Sequence, residues 1–128
     1  MITCYILDDQ YGKEIYEGMK KRFPQWNFPI KTNILNPLSY IDQIEKTNPD
    51  YILLDNYFPN RSSGWEEPLG AYLLEEIINR DIKTKVVCIS DYREKLVDRY
   101  EPRQQAVLSH LVKGFAGKDV RSAIELCS

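Results

Sequence analysis

The chain is short of several things that would declare a function outright. Histidine occurs once, at His110, and cysteine three times, at Cys4, Cys88 and Cys127. An odd, widely spaced set of cysteines supports neither a disulfide framework nor a tetrahedral zinc site. Cys4 and Cys88 lie inside apolar runs and read as small buried hydrophobes, which fits a reducing, cytoplasmic compartment. Positive charge is not in excess either. The formal net charge is −2, with no basic stripe, so nothing draws the chain electrostatically to nucleic acid or to an anionic membrane. No apolar run approaches the roughly 20 residues of a membrane span. Met1-Ile2-Thr3-Cys4 lacks the basic and apolar regions of a secretion signal. No glycine-rich dinucleotide or phosphate-loop motif follows any strand-like run. What remains is 128 residues, 43% of them hydrophobic, enough for one domain with a real core.

The pattern alternates. Ile2 to Leu7 is an apolar run that meets Asp8-Asp9. From Tyr11, the residues Ile15, Met19 and Phe23 recur at helical spacing until Pro24 stops them. Phe28 to Leu35 reads as a weaker second strand. Asn36-Pro37 has the form of an N-cap with proline at the first helical position, and Leu38, Ile41 and Ile44 carry that helix to about Asn48. Tyr51 to Leu54 is a continuous apolar run, as in a central strand covered on both faces, and it ends at Asp55. A loop rich in Pro, Asn, Ser and Gly fills Asn56 to Pro68. Leu69, Leu73, Leu74, Ile77 and Ile78 define a third helix. Val86 to Ile89 is a fourth strand ending at Ser90. A polar helix follows from about Tyr92 to Tyr100, then a fifth strand from Val107 to Val112 ending at Lys113, and a last helix marked by Val120, Ile124 and Cys127. Strict strand–helix alternation predicts a doubly wound α/β domain, a parallel sheet with helices on both faces, over residues 1–128.

Ligands of open parallel sheets bind outside the carboxyl ends of the strands. The residues there are Asp8, Asp9, Asp55, Ser90 and Lys113. Crowded carboxylates repel unless a cation joins them. Mg²⁺ is the natural choice: it is hard, oxygen-seeking and keeps coordination sites for a phosphate. A carboxylate also serves as a nucleophile, and lysine neutralises charge on a phosphoryl group. Taken singly these residues have plainer uses. Asp8-Asp9 caps a helix, Asp55 forms an Asx-turn, and Ser90-Asp91 with Glu94 forms a capping box.

Together, Ile6-Leu7-Asp8-Asp9, Asp55-Asn56-Tyr57-Phe58-Pro59, Ser90 and Leu111-Val112-Lys113-Gly114-Phe115 resemble the receiver domain of bacterial response regulators, close to the stand-alone chemotaxis type. The resemblance spans nearly the whole chain. It implies a flavodoxin-like sheet of five strands in the order 2-1-3-4-5 with five helices. It implies Asp55 as phospho-acceptor, with Lys113 and Ser90 assisting. It implies Mg²⁺ on Asp8, Asp9, Asp55 and the backbone carbonyl of Tyr57, and a switch made of Ser90 and His110. The implied partners are a histidine kinase or phosphotransfer protein, and a downstream protein or second copy on the fourth helix–fifth strand–fifth helix face. Such a domain catalyses only its own phosphorylation and dephosphorylation.

Three departures from the family pattern stand out. Gly114 replaces the usual proline after the lysine, Asp91 replaces a small residue after Ser90, and an inserted stretch after Pro59 carries Arg61, Gly64, Trp65 and Glu66-Glu67 before Gly70, which matches the glycine opening the third helix. Trp65 reads as folded over the site, docking a partner, or tucked into a surface loop. The departures favour an alternative function, a protein-binding module that keeps the fold but signals without phosphate. A phosphatase with an aspartyl nucleophile is disfavoured, because its usual second aspartate falls on Tyr57.

Overall fold

The computed structural model describes residues 1–60, 62–89 and the backbone of 112–115. Its elements are β1 (Cys4–Leu7), α1 (Gly12–Arg22), a 3-10 turn (Pro37–Tyr40) running into α2 (Ile41–Thr47), β2 (Tyr51–Leu54), β3 (Phe58–Pro59), β4 (Glu66–Glu67), α3 (Leu69–Asn79), β5 (Lys85–Cys88) and β6 (Val112–Phe115). The main sheet has the order β1-β2-β5-β6, and every pairing in it is parallel. None of the described helices is long and apolar enough to cross a membrane.

Strand alternation sorts the core into two layers. Tyr5, Leu7, Ile52, Leu54 and Val86 face one way and pack with Ile41, Ile44, Leu73, Leu74 and Ile77 of α2 and α3. Cys4, Ile6, Leu53 and Val87 face the other way and pack with Ile15 and Met19 of α1. Because both faces are covered, β1 and β2 are apolar throughout, and each fully buried Leu or Ile contributes about 1.5–3 kcal/mol of transfer free energy. α1 carries Glu14 in its first turn and Lys20, Lys21 and Arg22 in its last, the arrangement its dipole favours. The Asn36 side chain accepts the Leu38 N–H at 3.0 Å, so the expected cap with Pro37 behind it is present. α2 ends where Asn48 turns left-handed (φ 47°). Arg80, at the end of α3, bridges to Asp42 (2.8 Å) and Glu45 (3.6 Å) on α2 and to Glu76 (3.3 Å) on α3.

Three expectations need correction. The second strand over 28–35 does not form, so the strand order 2-1-3-4-5 is represented by its first, third, fourth and fifth members only. A single parallel bridge, Thr3 to Asn27, stands in its place, with Ile34 N–H donating to the Asp8 carbonyl at 3.1 Å. Pro29 lacks a ladder donor, and Phe28 packs in the α1 layer while Ile30 and Ile34 pack in the other. Residues 28 and 30 of a regular strand would share a face, so burial here is won without strand geometry. Second, the segment 56–68 is no plain loop: β3 and β4 pair antiparallel, Phe58 with Glu67 and Pro59 with Glu66. Third, the last strand runs through Lys113 rather than stopping before it. It pairs Val112 with Val86 and Phe115 with Cys88, so Lys113-Gly114 occupies an irregular step where β6 has one residue more than β5. Glycine suits such a bulge, and a proline would remove a ladder donor there. The expected helices near 92–100 and 120–127, and strand residues 107–111, lie outside the described residues, as do Ser90, Asp91 and His110.

Candidate functional site

Asp8 and Asp55 reach one place because β1 and β2 run parallel and in register and stop together. Leu7 pairs with Leu54, and the Asp55 N–H donates to the Leu7 carbonyl at 3.0 Å, extending the ladder one step past both strands. The residues just beyond that step are acidic. One carboxylate oxygen from each of Asp8, Asp9 and Asp55 lies within 4.8 Å of the other two. Asp8 is fully buried, Asp55 is 1% exposed and Asp9 is half-buried.

The cluster is built for more than local turn geometry. Asp8 Oδ1 accepts the N–H groups of Gln10 (2.8 Å) and Tyr11 (2.9 Å) and so shapes the turn into α1. The helix cap expected for Asp8 does not form: the N-cap position is Tyr11, which has no side-chain cap bond, and Asp8 instead closes the turn before α1 with one oxygen. Its Oδ2 is buried with no hydrogen-bond partner among the described residues. A carboxylate oxygen in that condition, beside two more carboxylates, is costly unless a cation is close. Three oxygen donors at this spacing, two from buried groups, match a hard divalent ion and none softer. The residues therefore fit Mg²⁺.

Asp55 is held from behind. Its Oδ1 accepts the Asn56 N–H at 2.8 Å, and the Asn56 carbonyl accepts the Gly70 N–H at 2.9 Å. Gly70 opens α3 directly against this turn. A methyl group on it would lie 2.0 Å from the Asp55 carbonyl oxygen, 2.8 Å from Asn56 Cα and 3.0 Å from the Asp55 carbonyl carbon. Only a residue without Cβ lets α3 approach the acceptor so closely. Tyr57, half-buried, follows Asn56 and leads into β3.

The described residues of the inserted stretch, with Phe58-Pro59, form a hairpin between Tyr57 and α3. Asn60 Oδ1 accepts the N–H groups of Ser62 (2.8 Å) and Ser63 (3.3 Å), Asn60 Nδ2 donates to Glu67 Oε1, and Gly64 takes the left-handed turn position (φ 73°). Trp65 is 77% exposed, so it is neither tucked away nor folded over the carboxylates.

Of the residues singled out in the sequence, the structure brings Asp8, Asp9 and Asp55 together and puts Tyr57 on the same turn. The backbone of Lys113 lies on β6, two strands from β2 across β5. Ser90 and His110 lie outside the described residues. Sequence reasoning missed Asn56, which is fully buried with both amide atoms lacking hydrogen-bond partners among the described residues. Its only signal was a polar residue in the slot behind Asp55.

Comparison with known proteins places the fold. No protein-family profile matches the chain, and no curated protein matches it in sequence. Among solved structures it is similar to a LuxR-family DNA-binding response regulator from Staphylococcus aureus (TM-score 0.65, 19% identity, covering 99% of this chain and 96% of that one). It is also similar to the signal receiver domain of NarL from Mycobacterium tuberculosis (TM-score 0.60, 19% identity, 97% and 94%). A third is the response regulator TrrA from Thermotoga maritima, solved with Mg²⁺ and BeF (TM-score 0.57, 15% identity, 98% and 99%). The fold is the receiver-domain fold.

Proposed function

We propose that the chain is a phospho-acceptor receiver of a two-component phosphorelay. The observation that carries this reading is the convergence of Asp8, Asp9 and Asp55 at the carboxyl ends of β1 and β2, with one Asp8 oxygen buried and unpaired among the described residues. The donor is a histidine kinase or phosphotransfer protein carrying a phosphohistidine. An Asp55 carboxylate oxygen attacks phosphorus, the P–N bond breaks, the imidazole leaves and takes up a proton, and an acyl phosphate remains on Asp55.

Asp8, Asp9, Asp55 and the Tyr57 backbone carbonyl would hold Mg²⁺, which supplies positive charge against the phosphoryl oxygens. Asn56 N–H and the close packing of Gly70 fix the acceptor carboxylate in position, which is most of what phosphoryl transfer asks of a protein. Lys113 neutralises a phosphoryl oxygen and Ser90 donates a hydrogen bond to another. Phosphorylation then shifts an existing equilibrium through Ser90 and His110 and alters the fourth helix–fifth strand–fifth helix face, where a downstream protein or a second copy docks. A swing from 1:99 to 99:1 takes about 5.5 kcal/mol of difference between the two states. On this reading the protein is no enzyme toward other molecules, does not itself bind nucleic acid, and works in the cytoplasm.

The test is treatment with a small phosphoryl donor and Mg²⁺, or with beryllofluoride and Mg²⁺, the combination present in the Thermotoga structure. Binding or phosphorylation that depends on Asp55 supports the reading. A protein inert to both is instead the phosphate-independent binding module.

A further inference from the structure

Asn56 is out of place energetically. Its side chain is fully buried, and neither Nδ2 nor Oδ1 has a hydrogen-bond partner among the described residues. A primary amide left so is a stability deficit that leucine, of nearly the same shape, would not carry. The residue stands where a deficit has consequences. Its backbone N–H donates to Asp55 Oδ1 (2.8 Å), and its carbonyl accepts from Gly70 N–H (2.9 Å), so Asn56 is the link between the acceptor carboxylate and the start of α3.

That link responds to chemistry at Asp55. The Asn56 N–H bond to an ionised carboxylate is charge-assisted. Forming an acyl phosphate removes the carboxylate charge and leaves a weaker carbonyl or ester acceptor, so this bond loses strength. The turn is then freer to re-seat, and the amide is the group with most to gain from doing so, because it starts with nothing. A ligand shifts a conformational equilibrium only by its differential free energy between two states. An amide unpaired in one state and paired in the other supplies such a difference.

We propose that Asn56 is a positioning residue that biases this protein toward its phosphorylated form: its amide is unsatisfied at rest and gains hydrogen bonds when Asp55 is modified. The inference rests on the receiver reading above. It goes further by naming a polar device behind the acceptor, outside the carboxylate cluster and the Ser90–His110 pair.

The full chain is compared with Asn56→Leu and Asn56→Ser, measuring melting temperature without ligand and affinity for beryllofluoride at fixed Mg²⁺. Leucine removes the buried amide, so the resting protein melts roughly 3 °C higher or more. Its beryllofluoride affinity falls about ten-fold, because the bound state loses the bonds the amide would make. Serine leaves a small cavity, so the melting temperature falls, yet it keeps a donor and an acceptor and holds affinity within about three-fold of native. A merely structural asparagine cannot produce this crossing of stability against affinity. The inference is overturned if Asn56→Leu binds beryllofluoride as the native chain does, or if it melts lower than native. Should the Leu variant not fold, the amide is needed at rest and the inference fails as well; should the native chain not bind beryllofluoride, the receiver reading itself fails.

Discussion

Replacing Gly70 by alanine tests how closely the acceptor and α3 are joined. Two effects oppose each other. Alanine is favoured over glycine inside a helix by about 1 kcal/mol, and less near an end. Against this, the new methyl carbon would sit 2.0 Å from the Asp55 carbonyl oxygen and 2.8 Å from Asn56 Cα. Those atoms are backbone, so no rotamer change relieves the overlap. Either α3 backs away or the Asp55–Asn56 turn shifts, by about an ångström in each case. Overpacking of this kind costs typically about 1–3 kcal/mol and sometimes more. The clash therefore wins, for a net loss of about 2 kcal/mol, or roughly 6–10 °C in a domain of this size. The displaced group is the acceptor's own backbone, and misplacement of a reacting group by about 1 Å costs on the order of 10²-fold in rate. Urea titration with circular dichroism and acetyl phosphate labelling, followed by intact mass, give the two readouts. A Gly70→Ala protein that equals or exceeds native stability and labels at the native rate would refute the packing described here.

Two further outcomes follow from the same geometry. Asp8→Asn retains an oxygen for the Gln10 and Tyr11 N–H groups but removes one buried charge. It should raise the melting temperature in EDTA and abolish the Mg²⁺-induced rise expected of the native chain, which corresponds to a stabilisation of about 2.7 kcal/mol at 100 times the dissociation constant; scanning calorimetry with and without Mg²⁺ checks this. Arg80→Ala breaks three contacts to Asp42, Glu45 and Glu76, all to partners at least 44% exposed, so urea titration should show only a small loss of stability, one that shrinks further in high salt.

The legible parts of the fold were those where a single burial pattern dictates the backbone. Tyr51–Leu54 is covered on both faces, so an unbroken apolar run marks the strand to the residue. α1 was visible because Ile15 and Met19 lie a helical turn apart on one buried face. The 28–35 segment misled because Phe28, Ile30 and Ile34 are buried as strand residues would be, while Pro29 and the switch of layers between 28 and 30 deny the chain a ladder. Nothing in Phe58-Pro59 or Glu66-Glu67 alternates long enough to signal a hairpin, whose shape comes from Asn60 and Gly64 at its tip. At the site, the convergence of Asp8 and Asp55 was legible because parallel strands in register deliver their following residues to one edge. The close approach of α3 behind Asp55 was not, since it depends on a contact between segments that only the folded chain brings together.

The central claim is that Asp55 accepts a phosphoryl group in a Mg²⁺-binding carboxylate cluster. Intact-mass spectrometry after acetyl phosphate and Mg²⁺ tests it most directly. The account predicts a single phosphoryl adduct on the native chain, sensitive to hydroxylamine, lost with EDTA and missing from Asp55→Ala. An adduct that survives in Asp55→Ala, or none on the native chain, would contradict it.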